Sequence, residues 1–156
     1  MNYAICFLVI NDMQQLPRVA INSVLNNSDA PIYVGYVNEV DVAIVPKHSR
    51  VKLIHLNPLT SNQRGKYQDF GTSGFYEAVY LKWPLFLKLL DLNYDFVIYN
   101  DLDVVWLRDA GEAINDFFNR IERIDLAFQS FTRDPVGPLL CMGFFAFRNT
   151  DFSHSS

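Results

Sequence analysis

The stretch Phe96-Val-Ile-Tyr-Asn-Asp-Leu-Asp-Val-Val-Trp-Leu-Arg-Asp109 decides how the chain reads. It is apolar without a break up to Tyr99, the pattern of a strand covered on both faces. Two carboxylates, Asp101 and Asp103, follow at once. The carboxyl end of a buried strand is where open α/β sheets place their ligands. Acids at i and i+2 where a strand breaks can converge on one hard cation. Mg²⁺ or Mn²⁺ held by one or two carboxylates keeps open positions for phosphate oxygens. Such an ion neutralises charge developing on a diphosphate leaving group. An acid-x-acid triplet is common, and the same side chains could instead cap the following turn or face solvent. Its place directly after an apolar strand favours the cation. Without a cation the two acids repel, so Asp101→Asn or Asp103→Asn is expected to hold or raise fold stability.

Outward from this strand the apolar period changes several times. Upstream, Tyr3–Ile10 is a second continuous apolar run and reads as a buried strand. Asn11 and Asp12 supply N-cap chemistry, and Leu16, Val19, Ala20, Val24 and Leu25 recur at helical spacing. After the turn cluster Asn26–Asp29, strands are expected over Ile32–Val37 and Val51–Leu56, with a further hydrophobic piece, Val40–Val45, ending at Pro46. Asn57–Gly74 is long and polar, as a lid that orders over a ligand would be. Tyr76, Val79, Trp83, Phe86, Leu87 and Leu90 form a helical stripe that Pro84 should kink or split into two abutting pieces. Downstream, a helix is expected around Glu112–Arg123, and short strands over Leu126–Phe128 and Gly143–Phe147. Buried strands alternating with amphipathic helices define an α/β domain on a largely parallel central sheet flanked by helices.

Composition narrows the function classes. The chain has 156 residues, 50% of them hydrophobic and 19% charged, which excludes intrinsic disorder. A net charge of -4 and a pI near 5.2 leave no basic footprint for nucleic acid. Only Cys6 and Cys141 occur, so a reduced compartment is the simpler reading. Tyr3–Ile10 is too short for a membrane span and lacks the flanks of a signal peptide. A soluble, cytoplasmic, single domain over residues 1–156 is therefore expected. His48, His55 and His154 share no metal-ligand spacing, and no Gly-x-Ser-x-Gly elbow supports acyl transfer.

The segment Lys82-Trp-Pro-Leu-Phe-Leu-Lys-Leu-Leu-Asp-Leu-Asn-Tyr-Asp95, continued by Phe96–Asp109, resembles the core of the nucleotide-diphospho-sugar transferases. These are GT-A-type glycosyltransferases, distantly similar to glycogenin and the lipopolysaccharide galactosyltransferases. Asp125-Leu-Ala-Phe-Gln-Ser130 resembles the family's next strand, and Cys141-Met-Gly-Phe-Phe-Ala-Phe-Arg148 resembles the strand bordering the sugar. Tyr33-Val-Gly-Tyr-Val-Asn-Glu-Val-Asp41 fits the nucleotide-binding half. The resemblance implies a GT-A-like, Rossmann-related fold. It implies that Asp101 and Asp103 bind the divalent cation, Mn²⁺ or Mg²⁺, that bridges the nucleotide diphosphate. Lys82 matches the helix residue near the donor, Asn11 would lie beside the base, and the backbone of Leu102 would meet the ribose. Gly143 would let the chain approach the sugar, and Gln129 is a candidate polar contact to it. Each has a plainer alternative: a solvated lysine, an N-cap, a packing glycine, a hydrogen-bonded glutamine.

The implied activity is metal-dependent hexosyl or pentosyl transfer from a nucleotide diphosphate donor, a UDP-sugar foremost, to a hydroxyl of an undefined glycan or protein, with retention. Catalytic residues are unassigned, because no carboxylate stands out as nucleophile or base. Relatives continue past the Gly-Phe-Phe strand into helices that shape the acceptor site, and in several branches supply a histidine ligand. Here the chain stops at Ser156, and His154 does not carry that role over. A nucleotide-sugar-binding domain without turnover, or a fragment, is thus the main alternative. A haloacid-dehalogenase-like phosphatase is a lesser one. Its aspartyl motif should follow the first strand and needs a downstream lysine, yet no lysine occurs after Lys88.

Overall fold

The computed structural model describes residues 2–10, 14–57, 76, 79–121, 124–131 and 139–149, without the side chains of residues 41, 128–131 and 139–142. A six-stranded sheet runs through it. In chain order the elements are β1 (Tyr3–Val9), α1 (Leu16–Asn27), β2 (Ile32–Tyr36), a 3-10 turn (Glu39–Ile44), β3 (Val51–His55), α2 (Lys82–Leu90), β4 (Phe96–Asn100), α3 (Ala110–Arg120), β5 (Leu126–Phe131) and β6 (Leu139–Arg148). The strand order is β3-β2-β1-β4-β6-β5. β3, β2, β1 and β4 run parallel, while β6 is antiparallel to both β4 and β5. The strands expected from the apolar runs are present. β5 and β6 extend further than their short apolar cores suggested, because sheet pairing continues into residues that the pattern alone does not mark.

Strand alternation sorts the core into two layers. Ile5, Phe7, Val9, Phe96 and Ile98 face one side, against Ala20, Ile21 and Val24 of α1 and Phe118 of α3. Ala4, Cys6, Leu8, Val97 and Tyr99 face the other, against Leu85, Phe86 and Leu89 of α2. Both faces of β1 and β4 are covered, which is why these strands read as unbroken apolar runs.

The helices are less legible. α1 starts at Leu16, past the Asn11 and Asp12 expected to cap it; residues 11–13 lie outside the described residues. Its buried face is Pro17, Ala20, Ile21 and Val24, whereas Leu16 and Val19 are exposed. Pro17 sits in the first turn, where no backbone N–H is needed. Arg50, from the loop before β3, donates to the carbonyls of Leu25 and Ser28 and so satisfies the end of α1. In α2 the buried set is Lys82, Leu85, Phe86 and Leu89, and Trp83 and Leu87 face solvent, contrary to the stripe read from sequence. Residues 76, 79 and 80 are helical and residue 81 is a turn, so α2 follows as a separate piece with Pro84 inside its first turn. The polar stretch 58–74 lies outside the described residues. No described helix is long and apolar enough to cross a membrane.

α3 is anchored at its start. The Asp109 carboxylate caps it by accepting from the Gly111 N–H at 2.8 Å, and also accepts from the Tyr3 hydroxyl at 2.7 Å. That hydroxyl reaches Ser28 Oγ at 2.8 Å as well, which links β1, α1 and α3. A Cβ on Gly111 would fall 2.1 Å from Cζ of Tyr3. Gly111→Ala should therefore destabilise the fold by roughly 1–3 kcal/mol in denaturant unfolding. A change below about 0.5 kcal/mol, the range of ordinary surface substitutions, would show that the Tyr3 ring is not fixed there.

Candidate functional site

β4 ends at Asn100, and the next residues, Asp101 to Asp103, form the turn that leaves the sheet. Because β4 lies between β1 and β6, this turn opens at the centre of the sheet's carboxyl edge. Strand alternation continues through the last residues. Tyr99 and Asp101 fall on the α2 side, and Asn100 points to the α1 side.

Asn100 is fully buried and fixes the turn. Its Nδ2 donates to the carbonyls of Asp101 at 2.8 Å and Val104 at 3.1 Å, and its Oδ1 accepts from the Trp106 indole at 2.8 Å. Trp106 is tied in turn to α1: its backbone N–H donates to Ser23 Oγ, and its carbonyl accepts from Asn27 Nδ2. Leu102 is buried among the apolar residues of that layer. Asp103 is exposed. The Asp101 N–H donates to the Gly143 carbonyl at 2.6 Å, which places Gly143 of β6 directly beside the acid pair.

On the other side, α2 delivers Lys82. Leu85, one turn further on, sits over Gly35 of β2, where a Cβ would come within 3.0 Å of Leu85 Cδ2. With α2 so close, Lys82 Nζ reaches Asp101 Oδ1 at 3.0 Å and lies 4.3 Å from the centroid of the Tyr99 ring. The Tyr99 hydroxyl donates to the same Oδ1 at 2.8 Å. Burial holds the Tyr99 phenol well above its ordinary value, and the Asp101 charge and the hydrogen bond to it add to this. Burial likewise pushes the Cys6 thiol up, with the Lys82 charge opposing.

The structure therefore brings Lys82, Asp101 and Gly143 together, with Asp103 and Leu102 on the same turn. Asn11 lies outside the described residues, as does the side chain of Gln129, whose backbone runs in β5. Tyr99, Asn100 and Asp109 were not singled out in the sequence. The acidic triplet draws the eye, while its supports are an apolar-strand tyrosine, a lone asparagine and a helix cap. Asp101 and Asp103 offer hard carboxylate oxygens. Among the described residues no three metal-ligating side chains gather, so a cation here would draw further oxygens from a diphosphate and water, which suits Mg²⁺ or Mn²⁺. The donor set fits such an ion.

A sheet of this order with an acid-x-acid turn at its centre is the GT-A-type α/β fold. Residues 41–155 match the family described as nucleotide-diphospho-sugar transferase, and the chain belongs to that family. No curated protein sequence matches it. Among solved structures, mouse xyloside xylosyltransferase 1 in its apo form is similar at a TM-score of 0.59 and 14% identity, over 96% of this chain and 68% of that one. The glycosyltransferase GlyE of Streptococcus pneumoniae is similar at 0.54 and 13%, over 99% of this chain and 36% of GlyE, so the chain spans about a third of that enzyme. A CMP:2-keto-3-deoxy-manno-octonic acid synthetase complexed with CTP is similar at 0.59 and 11%, over 99% and 78%. At such identities the likeness is one of fold.

The ion pair corrects the stability expected for Asp101→Asn. Asp101 is not simply an acid repelled by Asp103, because it is the partner of a buried ammonium. Asp101→Asn should lower stability by roughly 1–3 kcal/mol, less than a fully buried pair because Asp101 is partly open to solvent. Asp103→Asn should leave stability unchanged or slightly higher. Equal unfolding midpoints for both variants in urea would contradict this pairing.

Tyrosine burial gives a second expectation. Burial pushes Tyr94 up from 10.0 to about 12, helped by its hydrogen bond with Tyr33, and burial raises Tyr3 further. Above pH 10 the unfolded chain loses these protons while the folded chain keeps them. The stability they contribute is full below pH 10 and is lost as pH rises through the folded values. Tyrosinate absorbance followed together with circular dichroism should show these phenols ionising with unfolding. Their complete ionisation near pH 10 in a folded protein would contradict it.

Proposed function

We propose that this chain forms the donor-binding part of a metal-dependent glycosyltransferase. It would move a hexosyl or pentosyl group from a nucleotide diphosphate donor to an acceptor hydroxyl. The observation that carries the reading is the convergence of Lys82, Asp101 and Gly143, from three separate elements, on the turn at the end of β4. Membership of the nucleotide-diphospho-sugar transferase family supports the donor class. A pyrimidine nucleotide, UDP foremost, is the base we assign, in keeping with the CTP held by the structurally similar synthetase. Retention at the anomeric carbon follows the family resemblance.

A divalent cation bound by Asp101 and Asp103 would neutralise the diphosphate and the charge that grows on it as the glycosidic bond breaks. The chain's own groups do the rest by position. The Lys82 ammonium, fixed by Asp101 and the Tyr99 ring, adds a fixed positive charge at the donor. The backbone at Leu102, on the same turn, would meet the ribose, as the family resemblance implies. Gly143, whose carbonyl accepts from the Asp101 N–H, would let the chain approach the sugar closely. Holding donor and acceptor in register supplies much of the remaining acceleration.

Calorimetric titration of UDP, with Mn²⁺ and with chelator, tests this. Asp101→Asn and Asp103→Asn should each remove the metal-dependent part of the affinity. Lys82→Ala should weaken binding in both conditions. Metal and UDP should strengthen each other by the same factor. Equal UDP affinity with and without Mn²⁺ in the unaltered protein would refute the cation site. Slow release of free sugar from a UDP-sugar without acceptor would mark an enzyme rather than a binding module.

A further inference from the structure

The ring of Tyr99 is buried beneath the site, with 1% of its surface exposed. It stacks on Phe145 at 5.2 Å and lies tilted against Phe86 at 6.4 Å, so packing from β6 and from α2 fixes its plane. Its hydroxyl therefore has one position, 2.8 Å from Asp101 Oδ1. Residues two apart on a strand share a face, and β4 aims Tyr99 at Asp101 for that reason. From α2, Lys82 Nζ meets the same oxygen at 3.0 Å. Two donors from different elements on one oxygen set the rotation of the carboxylate. They also leave Oδ2 as the oxygen with no hydrogen-bond partner among the described residues.

We propose that Tyr99 is a positioning residue for the cation site: its hydroxyl holds Asp101 by Oδ1 so that Oδ2 is presented to a divalent ion at the nucleotide diphosphate. This rests on the reading of Asp101 and Asp103 as the ion's ligands. A carboxylate free to rotate must be ordered when the ion binds, whereas one already held gives up little freedom. The pull on Oδ1 is shared with Lys82, but the two differ in kind. The lysine brings a positive charge as well as a donor, while the phenol carries no charge to the site and can be deleted without moving the ring. A phenylalanine would fill the same space against Phe145 and Phe86, so packing alone does not account for the hydroxyl.

Tyr99→Phe tests the proposal on the full chain. Manganese binding is read by electron paramagnetic resonance in the presence of UDP, and UDP binding by calorimetry with Mn²⁺ and with chelator. The expected result is a loss of roughly tenfold or more in Mn²⁺ affinity, the size usual for groups that orient metal ligands. UDP affinity in chelator should not change. Phe145→Leu serves as the second variant, because it loosens the packing of the same ring but keeps the hydroxyl. It should retain most of the Mn²⁺ affinity. Unchanged Mn²⁺ binding in Tyr99→Phe overturns the role of Tyr99. So does an equal loss of UDP affinity with and without metal, or a loss in Phe145→Leu as large as in Tyr99→Phe. Absence of metal-dependent UDP binding in the unaltered protein removes the cation site and the role of Tyr99 together, which separates that failure from the others.

Discussion

The twofold period at the end of β4 is the constraint on which the site depends. Consecutive residues Tyr99, Asn100 and Asp101 must point to alternate faces, and each face uses what it receives. Tyr99 and Asp101 go to the α2 layer, where Lys82 joins them. Asn100 goes to the α1 layer, where it holds two carbonyls of the turn and the Trp106 indole. A shift by one residue would bury the carboxylate among Phe7, Val24 and Trp106 and leave the turn without its amide. Register is therefore set by chemistry on both sides of the sheet, and by the pairing of Asn100 with Phe144 and of Cys6 with Tyr99.

The ion pair is unequal, and that inequality matters for function. The Lys82 side chain is 8% exposed and that of Asp101 is 37%. The ammonium has lost most of its water and depends on nearby acceptors, of which the carboxylate is one, while the carboxylate keeps access to solvent and to a ligand. The aromatic ring under the ammonium adds a favourable cation–π contact. A group held this way gives a fixed positive charge at the mouth of the sheet at little cost in freedom, which suits a site for a phosphorylated ligand.

Much of this was legible in the sequence where residues have only one physical outcome. Phe96–Tyr99 and Tyr3–Ile10 can be little else than buried strands, and acids placed directly after such a strand must emerge at its carboxyl edge. The helices were harder. α2 carries Trp83, Leu85, Phe86, Leu87, Leu89 and Leu90 around most of its circumference, so the period cannot choose the buried face; contact with Gly35 and the sheet does. The direction of β6 was invisible, because a run of apolar residues reads the same in either sense. Asn100 was overlooked since one asparagine beside two aspartates looks like turn chemistry, and its burial arises from Trp106, six residues on. The family resemblance implied Lys82 near the donor, but its contact with Asp101 was not legible, because no local pattern joins residues on separate elements.

We propose a cation and diphosphate site at the turn after β4. Its most direct test is a crystal grown with UDP and Mn²⁺, with anomalous scattering recorded at the manganese edge. The expected result is a single strong peak bonded to carboxylate oxygens of Asp101 and Asp103, with diphosphate oxygens completing its coordination and Lys82 at the edge of the ligand. A manganese peak elsewhere, or UDP bound at this turn with no metal on either aspartate, would contradict it.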